Sequence, residues 1–240
     1  MENRKKVEVC HTPSLYHQYE KENQIVVAID VLRATSAMCT AFDNGVEKII
    51  PVSTIEEAKA YKEKGFIVAA ERKGQMVEGF DLGNSPFGYT DGKYKGETIV
   101  ITTTNGTRAI NVAKDADTVV IGSLLNLDYL SDWLIKQNKD VLLLASGWKD
   151  RFCLEDTICA GAFVDNLIQS TKFTCDEDSS VAAKYLYLSA KDNYMAFLKA
   201  SSHRRRLKAL SLNDDIKFCL TPNQTNVIPV LKGDALVLIK

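Results

Sequence analysis

The sequence predicts an α/β protein: a largely parallel or mixed sheet covered by helices on both faces, with a helical C-terminal third and a terminal β-hairpin. Three observations carry that prediction. Short β-rich runs alternate with helix-compatible stretches from residue 24 to about residue 170. Those runs are apolar throughout, which is the pattern of strands buried on both faces. From 178 to 210 the chain is helical in pattern, and two short strands around Lys232-Gly233-Asp234 end it as a hairpin.

The elements follow in order. QIVVAID (24–30) is a buried strand, followed by a helix from Ala34 to Phe42 that Asn44-Gly45 closes. VEKIIPV (46–52) is a second strand. Ser53 and Thr54, each with a glutamate three residues on (Glu56, Glu57), give overlapping capping boxes for a helix ending near Gly65. FIVAA (66–70), ETIVITT (97–103), DTVVIG (117–122) and DVLLLAS (140–146) are further strands, with helices over 105–114, 126–138 and 155–170. Asp192-Asn193 marks a break in the late helical region, and NVIPV (226–230) and ALVLI (235–239) form the hairpin. Between Arg72 and Gly96 no period is visible; a connection that long inside a compact unit is usually a functional loop.

Length and charge narrow the function. The 240 residues carry 30 Lys+Arg against 31 Asp+Glu, a net charge of -1. They suit one compact catalytic unit over 1–240, with any subdivision falling near 175–200, and the balance argues against a dedicated nucleic-acid binder. The longest apolar runs are far shorter than a membrane span. The N-terminal MENRKKVEVCHTP has no apolar core of a signal peptide, so the expected location is cytoplasmic and the six cysteines are expected to be reduced. No CxxC pair appears, which leaves a structural zinc site unsupported.

Ligands of open α/β sheets bind beyond the carboxyl ends of the strands. Several polar groups stand there. DVLRATS offers Asp30, a candidate Mg2+ ligand, general base or nucleophile, with Arg33, Thr35 and Ser36 at the following helix start; a simple cap is the alternative. TTTNGTR places Thr104, Asn105, Gly106, Thr107 and Arg108 where backbone N–H groups and a guanidinium would cradle an anion, or merely cap a helix. Glu71 with Arg72 reads as a site acid or as an ion pair. Asp81 beside Asn84 and Ser85 reads as a site acid or as an Asx-turn. Glu155-Asp156 opens a helix, where acids also complement the dipole. In SSHRRRL, His203 and Arg204 either face solvent or reach a second anionic group. No nucleotide fingerprint or Ser-His-Asp order is present.

Taken together, DVLRATS (30–36), ER-KG (71–74), GFDLGNSP (79–86), TTTNGTRA (102–109), FCLEDTICAGAFVDNL (152–167) and SHRRRL (202–207) resemble the 2-phosphosulfolactate phosphatase family, in order from about Val26 to Phe218. Gly147-Trp148-Lys149-Asp150-Arg151 and Lys73 depart from the more glycine-rich pattern of that family. The resemblance implies a Mg2+-dependent phosphatase that converts 2-phospho-3-sulfolactate to 3-sulfolactate and phosphate, a step toward coenzyme M. It implies catalytic roles for Asp30 and Asp81 and a Mg2+ shell drawn from Asp30, Glu71, Asp81, Glu155 and Asp156. Arg33, the 104–108 cradle, and His203 with Arg204 then bind the anionic groups. The expected partner is a small phosphorylated acid, with neither nucleic acid nor membrane; association into a homo-oligomer is left open. A fold-retaining anion binder without turnover is the competing class.

Overall fold

The computed structural model describes residues 4–239, so the two ends of the expected 1–240 unit lie outside the described residues. Its elements are β1 (Lys5–Cys10), β2 (Gln24–Ile29), α1 (Ala34–Asp43), β3 (Lys48–Pro51), α2 (Ile55–Glu63), β4 (Ile67–Arg72) and the short β5 (Gln75–Met76). Next come β6 (Thr98–Thr102), α3 (Gly106–Val112), β7 (Thr118–Gly122), α4 (Leu127–Gln137), β8 (Asp140–Ala145), α5 (Leu154–Gln169) and β9 (Phe173–Thr174). The C-terminal part holds α6 (Asp178–Ala190), α7 (Tyr194–Phe197), α8 (Ser202–Ala209), α9 (Asn213–Cys219), β10 (Pro229–Lys232) and β11 (Ala235–Leu238). The predicted fold class holds: helices flank one large mixed sheet.

The strands run in the order β5-β4-β6-β3-β11-β10-β7-β2-β8-β1-β9. Two parallel blocks, β4-β6-β3 and β7-β2-β8-β1, are joined by the antiparallel hairpin β10–β11. Single bridges hold that hairpin on either side, Val230 to Val120 and Leu236 to Ile49. The expected hairpin is therefore the centre of the sheet and not a terminal appendage. β1 escaped the sequence reading because its polar KK–E start hides four consecutive buried residues. The predicted helix over 178–210 is three helices with a 3-10 turn at Leu198–Ala200, and the first break falls where Asn193 caps α7.

Local chemistry accounts for the main helices. Thr54 and Glu57 form the expected capping box of α2, and Glu57 also receives the Ser53 N–H. α5 carries Gly161 where a Cβ would stand 2.0 Å from the Ala183 carbonyl oxygen, so only glycine lets α6 cross so closely.

α1 is the unusual helix, with nine of its ten residues buried. Thr35 Oγ1 bonds back to the Asp30 carbonyl and Ser36 Oγ to that of Val31, so its first turn satisfies itself without water. One apolar cluster joins α1 (Ala37, Met38, Phe42) to Val26 and Ala28 of β2, Ile49 of β3, Ala69 of β4 and Ile101 of β6. In a flat sheet β2 and β4, with five strands between them, would stand about 29 Å apart at the usual 4.8 Å spacing. α3 (Ala109, Ile110) belongs to the same cluster, and Arg33 beyond β2 donates to the Gly74 carbonyl beyond β4, which requires the sheet to curl. A second cluster holds α4, α5 and α6 residues against β1, β2 and β8; a third packs α2 on β4 and β6. Among the described residues no helix is long and apolar enough to cross a membrane.

Candidate active site

The curl brings the ends of β2 and β4 to one narrow cleft. Its walls are Asp30, Leu32 and Arg33 after β2, Glu71, Lys73 and Gly74 around the end of β4, and Asn84 and Asn105 from two loops. Trp148 follows β8, and His203, Arg206 and Leu207 come from α8. Acids and cations thus share one rim, drawn from only part of the expected set, and α8 lies against it.

Asp30 is buried at the cleft floor. Oδ1 takes a long 3.4 Å hydrogen bond from the Ala34 N–H, while Oδ2 has no donor among the described residues. Burial pushes its carboxyl up to about 6; the His203 charge opposes this, and Glu71 and Glu155 add to it. Gly106 explains how α3 approaches: a Cβ there would stand 2.4 Å from the Ala34 Cβ and 2.9 Å from Asp30 Oδ2. Any other residue would fill the space beside that carboxylate.

Across the cleft, Glu71 is tied down. Its carboxylate accepts from the Gly74 N–H (2.5 Å), the Thr104 N–H (3.2 Å) and the Thr104 hydroxyl. The anion that fills the predicted cradle at Thr104 is thus this side chain of the protein itself. Glu71 does not pair with Arg72, whose guanidinium turns to the Glu71 carbonyl and Thr102.

Behind the cleft lies a second set of acids. Glu155 is fully buried and accepts from Cys153 Sγ (2.9 Å), Ser201 Oγ (3.1 Å) and His203 Nδ1 (2.5 Å). Burial alone would raise its carboxyl; the His203 hydrogen bond and charge, with the Cys153 thiol, bring it below its ordinary value. His203 thereby gains a fixed ring orientation, tilted 34° against Trp148 with the ring centres 5.6 Å apart. Asp156 accepts the Val31 N–H at Oδ1 (2.9 Å) and the Gly147 N–H at Oδ2 (3.2 Å), stapling two strand-end loops together. Burial and the charges of Asp30 and Glu155 push its carboxyl well up.

A family model described as 2-phosphosulpholactate phosphatase matches residues 10–234. The chain belongs to that family, whose members are phosphoric monoester hydrolases. It is 43% identical over 217 residues to a protein of Caldanaerobacter subterraneus subsp. tengcongensis named probable 2-phosphosulfolactate phosphatase, covering 89% of each chain. Relatives with the same name in Clostridium acetobutylicum (37% identical, covering 87% of this chain and 89% of the relative) and Thermotoga maritima (40%, covering 90% and 93%) match as fully.

Several predicted site residues stand elsewhere than the sequence placed them. Asp81, read as catalytic and metal-binding, caps the Val68 N–H near the start of β4 and pairs with Lys62 of α2 at 38% exposure. Glu71 lies three residues on at the other end of that strand, about 10 Å along it. Arg33 lines the cleft, yet both terminal nitrogens are committed, to Asp215 of α9 (2.6 Å) and the Gly74 carbonyl (2.7 Å). Thr35, Ser36 and Thr107 are buried and bond to neighbouring turns. Arg108 points away, 49% exposed and paired with Asp150. Ser85 precedes the 3-10 turn Pro86–Tyr89 and is not part of the cleft wall, whereas Asn84 is.

Arg204 is replaced in the site by Arg206. Arg204 donates to the Met195 carbonyl, while Arg206 lies 4.3 Å over the Trp148 ring with a buried Nη2 that has no partner among the described residues. Helical spacing was the missed signal, since residues three apart share a face and 203 leads to 206. Lys73, in the left-handed turn of the β4–β5 hairpin, is the other cation sequence reasoning did not count.

Proposed function

We propose that this chain hydrolyses 2-phospho-3-sulfolactate to 3-sulfolactate and phosphate with bound Mg2+. One observation carries the reading: a buried carboxylate with a donor-free oxygen, Asp30 Oδ2, faces a small cleft whose opposite walls hold Lys73, Arg206 and His203. A polyanionic ester needs cations spread over several walls and an oxygen nucleophile or metal anchor between them. The names of the relatives supply the substrate class.

The donor set fits Mg2+. Asp30 and Glu71 are hard oxygen ligands lining one cleft, the ligand type this ion prefers. Like-charge crowding of Asp30 by Glu71 and Glu155 is what a divalent cation would relieve. Bound there, Mg2+ would neutralise charge on the transferred phosphoryl group. The chain does the rest. Arg206 and Lys73 take the separate anionic groups, and Arg33 holds the wall in place through Asp215. His203, oriented at Nδ1 by Glu155, leaves Nε2 to protonate the departing ester oxygen. Asp156 acts as a positioning residue through Val31 and Gly147.

The test is phosphate release from 2-phospho-3-sulfolactate, lost with EDTA and restored by Mg2+. Full activity in metal-stripped protein removes the Mg2+ assignment. No release with Mg2+ present removes the phosphatase reading for this ester.

A further inference from the structure

The zinc-type cysteine spacing missing from the sequence is made good by the fold. Cys153 and His203 lie 50 residues apart, yet Sγ and Nδ1 stand 3.9 Å from each other. Glu155 Oε1 lies between them, 2.9 Å from Sγ and 2.5 Å from Nδ1. The three ligand atoms converge within 4.8 Å, and Cys153 and Glu155 are buried.

We propose that Cys153, Glu155 and His203 form a second cation site, selective for thiophilic divalent ions such as Zn2+ or Co2+, whose occupation withdraws His203 from the cleft. A tetrahedral zinc, with bonds of about 2.0 Å to nitrogen and oxygen and 2.3 Å to sulfur, separates its ligand atoms by roughly 3.2–3.6 Å. Each of the three present separations is within about 1 Å of that range. Sulfur and imidazole ligands favour Zn2+ and Co2+, whereas Mg2+ prefers oxygen. This site is distinct from the Asp30–Glu71 pair, because Cys153 and Glu155 do not line the cleft. Binding displaces the Cys153 thiol proton to solvent as the metal–sulfur bond forms, and breaks the Nδ1 hydrogen bond that orients His203. Three protein ligands leave the fourth position to water. The inhibitory consequence rests on the proposed role of His203 in hydrolysis; the site itself does not.

Titration of the reduced, metal-free enzyme with Co2+ tests the site without turnover. The expected result is a thiolate-to-Co2+ charge-transfer band that saturates at a single equivalent and is absent in Cys153→Ala. Cys153→Ser, which keeps a donor to Glu155, guards against a folding defect and must also lack the band. Zn2+ is expected to bleach the band and slow Mg2+-supported hydrolysis by roughly tenfold or more in the parent, the scale of losing a partner that orients a histidine. Hydrolysis by Cys153→Ala stays near the parent rate with or without Zn2+. No band in the parent, or an equal band in Cys153→Ala, overturns the site. A band with unslowed hydrolysis in the presence of Zn2+ overturns the inhibition. An enzyme inactive on every ester tried, yet showing the band, refutes the phosphatase reading and leaves the metal site standing.

Discussion

Two turns leave the sheet with nearly the same chemistry. The 30–36 turn has an acid, an arginine and two hydroxyls before α1; the 102–108 turn has four threonines, an amide and an arginine before α3. The structure uses them in opposite ways. In the first, hydroxyls bond inward to the turn, Arg33 is buried against Asp215, and the acid keeps one oxygen open to the cleft. In the second, the open backbone N–H at Thr104 is taken by Glu71, and Arg108 faces solvent beside Asp150. A polar group at a strand end serves a ligand only where the protein has not already spent its hydrogen bonds.

The largest expected effect falls on the first turn. Asp30→Asn should lower kcat by about 1,000-fold or more, the scale of losing a principal catalytic group. The same variant should gain stability in metal-free protein at pH 7. Burial raises this carboxyl from 3.8 to about 6, so the folded state binds the proton more tightly than the unfolded one. Stability therefore falls as pH rises between those values, and the ionised group costs on the order of 1–3 kcal/mol at neutral pH. A near-parent rate, or a melting temperature below that of the parent, breaks the comparison at its centre.

Asp215→Asn comes next. It leaves Arg33 buried without its charge partner and should destabilise by about 3–5 kcal/mol in urea unfolding. A loss under about 1 kcal/mol would mean that Arg33 is held by other groups. Glu71→Gln, which weakens the acceptor for Gly74 and Thr104, should cost about 1–3 kcal/mol and loosen both loops to hydrogen exchange. Unchanged exchange at Thr104 would show that the cradle is not filled by Glu71. Arg108→Ala is the smallest, within about 1 kcal/mol and with turnover preserved, as for an exposed pair. A large loss of turnover there would restore the anion-cradle reading of the second turn.

Much of the fold was legible. Runs such as QIVVAI and VLLLA carry the pattern of strands buried on both faces, and Thr54 with Glu57 marks a helix start in the residues themselves. The site was legible as a set of motifs but not as a set of atoms. Asp30 sits in the cleft as expected, and Glu155 and Asp156 lie directly behind it. Asp81 does not, because which end of β4 its loop returns to depends on the pairing of Leu82 with Ala69, a long-range choice. Arg206 was readable from the three-residue helical spacing once His203 was taken as the anchor.

By itself the sequence determined most of the elements, their parallel character and the family, because strand burial, capping and contiguous motifs are local properties of the chain. Only the tertiary structure decided which acids face a ligand. Threading a hairpin through the middle of the curled sheet brings Asp30 to Glu71, and docking the start of α8 on the start of α5 brings Cys153 to His203. Such meetings depend on which long-range contacts bury the most apolar surface, and no local pattern in the residues records that outcome.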